Sequence, residues 1–241
     1  MAQIANYTLF YNAEDGKMYA GFCREEKEAL VDVEIRDAVE IGGYRGEGKN
    51  LVLTGFHFET SADIALVVPG GTTIVLESGT SVLRVLPDGP DANTATLYTK
   101  GDLIFTGGEG TLINDATHTS KETTLWSRCI CARYGNIWIE GGRIEALCGP
   151  CSRNAGAVYA GGRLFAAEHG EQENGAITIT GGTVIGSSIP QSIRATNTKL
   201  TIGPGSVVEN AVEFSGSAEE WHGDCLAQVD VSKPVVIQFE K

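Results

Sequence analysis

Three octets of this chain superimpose without a gap: Gly101-Asp-Leu-Ile-Phe-Thr-Gly-Gly108, Gly135-Asn-Ile-Trp-Ile-Glu-Gly-Gly142 and Gly175-Ala-Ile-Thr-Ile-Thr-Gly-Gly182. Their apolar residues (Leu103/Phe105, Ile137/Ile139, Ile177/Ile179) recur with a period of two, the spacing of a strand with one buried face. The closing Gly-Gly pair supplies positive φ for a sharp corner. Weaker copies begin at Leu51, Ile74 and Leu200. Measured between the first apolar position of each copy, the steps are 23, 29, 34, 40 and 23 residues. Intervals in this range are the signature of stacked repeats, and the variable excess over the shortest step reads as inserted loops.

The sequence therefore predicts an all-β chain folded as a single-stranded right-handed parallel β-helix, a solenoid in which Leu103, Ile137, Ile177 and Leu200 stack inward about 4.8 Å apart. One domain would cover 1–241, with an N-terminal cap over 1–30, coils over 31–209 and a C-terminal cap over 210–241. Polar caps are what such a stack needs against edge-to-edge growth. Residues 24–30 are the one stretch with helical character. With 31 Gly, 7 Pro and 42% hydrophobic residues, the chain has many turns and enough apolar content for a core. A propeller would need a fixed period, and a sandwich would need Asn-Gly or Asp-Gly hairpins between the repeat strands. Here the interval varies, Asn-Gly occurs only at Asn174-Gly175, leading into a repeat strand, and Asp-Gly only at Asp15-Gly16 and Asp88-Gly89, outside the main repeats.

The formal net charge is −13, from 31 acidic and 18 basic residues. An acidic chain repels phosphate backbones, so no nucleic-acid partner is expected, and the charge favours solubility. No stretch approaches the ~20 apolar residues of a membrane span, so no membrane insertion is expected. The first residues show no basic and apolar leader, which predicts a cytoplasmic protein unless a leader has been removed. Assembly into a homo-oligomer along one face is compatible with the repeat.

The stretch Tyr98–Ile113, with the segments starting at Ile74 and Gly175, resembles the repeat of bacterial β-helix proteins usually labelled carbohydrate-binding-domain-containing. The resemblance spans residues 50–208 and implies sugar binding through the fold. No catalytic residue is implied by it.

Candidate site residues come from the outward positions of the octets. If Ile137 and Ile139 point inward, Trp138 points outward, where an indole on a flat sheet is a platform for stacking a sugar. Asn136, Glu140 and Arg143 are its candidate polar companions. The plainer alternative is that an inserted loop, 114–124 or 163–174, covers the indole. The outward columns Asp102/Asn136/Ala176 and Thr106/Glu140/Thr180 hold no stacked carboxylate pair, so the chain reads as a binding module rather than an enzyme. The alternatives are a polysaccharide-active lyase or glycoside hydrolase with its residues on loops, and a purely structural assembly module.

Cys129, Cys131, Cys148 and Cys151 are weak candidates for a zinc site, since two short pairs separated by 17 residues loosely fit a ribbon. Cys148-Gly-Pro-Cys151 also has the thioredoxin-type sequence, but no helix is predicted to activate its thiol. The favoured reading is structural: Cys129 and Cys131, two apart on a strand, would face the same way and fill the interior. No cofactor is expected. Calcium is the other metal the chain could take, at the acidic loops 88–91 and 168–173.

Overall fold

The computed structural model describes residues 4–26, 29–87, 92–120, 124–149, 154–160, 177–187, 193–196, 200–202, 207–209, 211–215 and 225–228. The chain begins with β1 (Thr8–Asn12), β2 (Lys17–Glu26), β3 (Ala29–Val39) and β4 (Tyr44–Glu47). There follow β5 (Asn50–Thr54), β6 (His57–Thr60), β7 (Ile64–Val68), β8 (Thr72–Ser78), β9 (Thr80–Val85) and β10 (Ala92–Thr99). The middle holds β11 (Leu103–Gly107), β12 (Thr111–Ala116), β13 (Thr124–Ala132), β14 (Ile137–Ile139), β15 (Arg143–Cys148) and β16 (Asn154–Ala160). The last strands are β17 (Ile177–Ile179), β18 (Thr183–Ser187), β19 (Ile193–Thr196), β20 (Leu200–Ile202), β21 (Val207–Glu209), β22 (Ala211–Ser215) and β23 (Cys225–Gln228).

These strands form three sheets of ten, seven and six strands. From β5 to β22 the chain visits the seven-, six- and ten-stranded sheets in turn, and each strand pairs in parallel with the strand three places away. The ten-stranded sheet ends in antiparallel strands, β2 and β3 at one side and β23 at the other. The seven-stranded sheet ends in the antiparallel β4.

This overturns the expected single-stranded right-handed parallel β-helix with caps. The chain makes three sheets, two of them mixed, and not one single-stranded solenoid. The reason is local. The octets mark only the strands of the seven-stranded sheet; the strands between them carry no Gly-Gly signature and build the other two. The turn at Asp15-Gly16, where Gly16 takes φ 68°, reverses β1 into β2 and starts an antiparallel end. The described residues of the stretch expected to be helical, 24–26 and 29–30, are strand. Glu25 pairs with Leu30 and Glu26 with Ala29 across the β2–β3 hairpin.

Register within the seven-stranded sheet follows the octets for the strong copies. Leu103 pairs with Ile137, Ile137 with Ile177, and Ile177 with Leu200. The copy at Leu200 keeps this register, whereas the copies at Leu51 and Ile74 pair with each other and are displaced by two against the octets: Leu103 pairs with Thr72, and Phe105 with Ile74. A shift of two leaves every side chain on its expected face, whereas a shift of one would have inverted the strand. The corner glycines explain the octet ends. Gly142 and Gly182 take φ of 77° and 76°. A Cβ on Gly135 would lie 2.1 Å from the Gly101 carbonyl carbon, so backbone stacks on backbone there and only glycine fits.

The inward residues of the three sheets merge into one apolar core that includes Leu66, Leu97, Phe105, Leu112, Ile130, Ile137, Ile144 and Ile177. A second, smaller cluster lies on the other face of the ten-stranded sheet, around Ile64, Ala95, Tyr98, Cys131 and Tyr159. The end of the β2–β3 hairpin lies over it, bringing Glu25 onto Arg128 and Arg133 of the chain after β10.

Candidate functional site

The outer face of the seven-stranded sheet places Trp138 as expected. Ile137 and Ile139 are fully buried, and the indole between them is turned out and half-buried. In register it lies between Ile104 on β11 and Thr178 on β17, with Thr73 of β8 beyond Ile104. All four are partly exposed, so a strip of indole, isoleucine and two threonine hydroxyls runs across four strands. Residues 114–116, part of one loop that could have covered the indole, belong to β12 in the six-stranded sheet. The other loop, 163–174, lies outside the described residues.

The companions of Trp138 divide. Glu140 is exposed at the end of β14, and its N–H donates to the Phe105 carbonyl at 2.8 Å. Asn136 is committed to the fold: its backbone N–H and its side-chain amide both donate to Asp102 Oδ1, at 2.8 and 3.3 Å. Its carbonyl accepts from Leu103 N–H at 2.9 Å. Arg143 is past the Gly141-Gly142 corner on β15, in the six-stranded sheet, and pairs with Glu145 at 2.7 Å. The site on the seven-stranded sheet is therefore Trp138 with Glu140 and the flanking threonines.

In comparisons with protein-family models, curated proteins and solved structures, none matches this chain.

Of the four cysteines offered as zinc ligands, three are described, and only two of those three meet. Cys129 lies in the main core, whereas Cys131 lies in the outer cluster on the opposite face of the ten-stranded sheet. Strict alternation would have put them on one face. Here the pairing of β10 and β13 runs Ala95 to Arg128 and Leu97 to Ile130, and both Cys129 and Ile130 turn inward. Cys148 meets Cys129, and Cys151 lies outside the described residues. Among the described residues no group of three or more His, Cys, Asp or Glu is placed to hold a metal. Both acidic loops proposed for calcium, 88–91 and 168–173, lie outside the described residues.

Three features escaped the reading of the octets. On the outer face of the six-stranded sheet, Glu59 of β6, Arg84 of β9 and Asp115 of β12 share one ladder position. Arg84 donates to Glu59 and, at 2.7 Å, to Asp115 Oδ2, while His57 sits 3.2 Å from Glu59. Burial works to raise the Asp115 carboxyl, but two hydrogen bonds from Thr117 and the Arg84 guanidinium hold it below its ordinary value. A carboxylate this well satisfied stays ionised and is a poor proton acceptor, and the row reads as a charge ladder. It becomes visible in the sequence only when the second strands of successive repeats are aligned.

The second feature is the buried cluster under the hairpin. Arg128 and Arg133 are 4% and 3% exposed, and both face Glu25, Arg128 Nη1 lying 3.2 Å from each carboxylate oxygen. The Arg128 guanidinium also lies over Tyr159 and Trp126, at 4.4 and 4.7 Å from the ring centres. Arg128 and Arg133, on either side of the apolar run Cys129–Ala132, were the available signal. The third is a groove of about 500 Å³ lined by Phe10, Tyr19, Leu30, Val33, Ile35 and Lys100, among others. Val33 and Ile35 on its lip are 49% and 56% exposed. No repeat reports it, because β3 lies outside the repeating part.

Proposed function

We propose that the protein is a non-catalytic binding module that takes carbohydrate on the outer face of its seven-stranded sheet. The observation that carries this reading is Trp138, an indole turned outward and left partly open on a flat face between Ile104 and Thr178. An aromatic plane stacks on the apolar face of a sugar ring, and the threonine hydroxyls and the Glu140 carboxylate beside it can exchange hydrogen bonds with ring hydroxyls. A formal charge of −13 disfavours polyanionic glycans and leaves neutral ones. Among the described residues no pair of carboxylates flanks the indole, which supports binding without cleavage.

A glycan array probed with the parent chain and with Trp138→Ala tests the proposal. Binding to neutral glycans that Trp138→Ala loses is the expected result. Binding that survives in Trp138→Ala moves the site elsewhere, and turnover of any bound polysaccharide would make the protein an enzyme.

A second reading places the ligand in the groove beside β3. Its lining is mostly apolar, and Lys100 on its wall has no ion-pair partner among the described residues, which suits an apolar molecule with an anionic end. Titration with anilinonaphthalene sulfonate separates the two readings: saturable fluorescence enhancement abolished by Lys100→Glu would favour the groove.

A further inference from the structure

We propose that Cys129 and Cys148 are the two halves of an intramolecular disulfide that ties the ten-stranded sheet to the six-stranded one. The two sulfurs lie 3.2 Å apart in the core, with no other cysteine sulfur in contact with either among the described residues. Cys129 is fully buried and Cys148 is 8% exposed. To reach a bond length of about 2.05 Å the sulfurs close by roughly 1.2 Å. Cys148 lies 3.8 Å from the Ser127 carbonyl, its closest other polar contact, so nothing strong opposes that movement. Cys131 is excluded because it lies on the opposite face of the sheet, and Cys23 packs with that same outer cluster.

The geometry also suits a bond over a metal. Two thiols in contact supply half of a tetrahedral zinc set, and the described residues offer no third or fourth ligand beside them. A disulfide needs only the pair.

The oxidant is a low-molecular-weight disulfide of the glutathione class. The Cys129 thiolate attacks one sulfur of that molecule, forming a mixed disulfide and releasing one small thiolate. The Cys148 thiolate then attacks the Cys129 sulfur, the S129–S148 bond forms, and the second small thiolate leaves. Two protein thiols are oxidised, one external disulfide is reduced to two thiols, and the two protons pass to the departing thiolates. Burial, and next the contact with Cys148, push the Cys129 thiol well above its ordinary value, so Cys129 in the folded chain is not a ready nucleophile. The bond is therefore made while the chain is folding and is protected once the core has closed.

The test is refolding of the full chain from denaturant with a reduced and oxidised glutathione mixture or with a phosphine reductant. Free thiols are then blocked under denaturing conditions and the peptides mapped by mass. The expected result is a cross-linked Cys129–Cys148 peptide, two hydrogens lighter than the reduced pair, only in the glutathione sample. Closing a loop of about 20 residues raises the melting temperature by roughly 5–10 °C over the reduced form. Cys151→Ser keeps both the peptide and the shift. Recovery of Cys129 or Cys148 as a blocked free thiol from the glutathione sample overturns the proposal. So does pairing of Cys148 with Cys151, or stoichiometric zinc on the freshly purified chain that is released when Cys129 is replaced by Ala.

Discussion

Replacing Glu25 with glutamine removes one negative charge and almost no volume. In the folded chain that carboxylate is 6% exposed and faces two guanidiniums that are 4% and 2% exposed. Taking away this anion removes the carboxylate that both Arg128 and Arg133 face. Breaking a buried ion pair from one side costs about 3–5 kcal/mol, because the remaining charge loses its compensation while staying out of water. At about 2–4 °C per kcal/mol for a chain of this size, Glu25→Gln is expected to melt roughly 6–20 °C below the parent. The hairpin end can relieve part of this by lifting off and admitting water, so amide exchange at the β2–β3 end should accelerate more than exchange at β13. A second substitution separates charge from shape: Arg128→Met in the Glu25→Gln background removes one stranded cation and should recover at least half of the loss. Urea unfolding of the parent and the single and double variants gives all the values. If Glu25→Gln lies within about 1 kcal/mol of the parent, the hairpin does not bury this charge and the account of the second cluster fails.

Three further outcomes follow from the same structure. Ile137→Ala removes an inward side chain and should cost about 2–5 kcal/mol, whereas Trp138→Ala, one residue on and outward, should cost under about 1.5 kcal/mol; equal losses in urea unfolding would contradict the register. Burial pushes the Asp63 carboxyl above its ordinary value, with Arg24 only partly offsetting it, so the charged form is disfavoured by folding. Asp63→Asn is therefore expected to be stabilising at neutral pH, with the gain fading as pH falls through the raised folded value towards the ordinary 3.8 and absent below it; melting curves from pH 3 to 8 check this. Asp115 has the opposite sign: its lowered pKa contributes stability above 3.8 that is lost as pH falls through the folded value, so the deficit of Asp115→Asn at pH 7 should close in acid.

The octets were legible because three constraints coincide in them: alternation, a Gly-Gly corner, and a backbone-on-backbone contact at the opening glycine. Together they placed Leu103, Ile137 and Ile177 in one buried column and turned Trp138 outward. They could not report the strands that lack this signature. The six-stranded sheet, with Glu59, Arg84 and Asp115 in one row, has no glycine pair to mark it, and its alternation becomes informative only after register is known. The β2–β3 hairpin was hidden for another reason. Arg24-Glu-Glu-Lys-Glu-Ala-Leu30 has the local composition of a helix, but Glu25 is held by two arginines about a hundred residues away, and tertiary pairing outweighs propensity. Cys129 and Cys131 show the limit of simple alternation: Cys129 and its neighbour Ile130 both turn into the main core, and Cys131 turns to the opposite face.

The most direct measurement of the proposed function uses Trp138 itself as the reporter. With Trp126 and Trp221 replaced by phenylalanine, Trp138 is the chain's one tryptophan, because the sequence holds three. The variant is titrated with the neutral oligosaccharide that the array returns, while emission and acrylamide quenching are followed. Stacking of a sugar ring on the indole predicts a saturable blue shift and protection from quenching, with a midpoint that matches binding measured by calorimetry. Calorimetric binding with unchanged emission and unchanged quenching would show that the sugar sits elsewhere and would contradict the account.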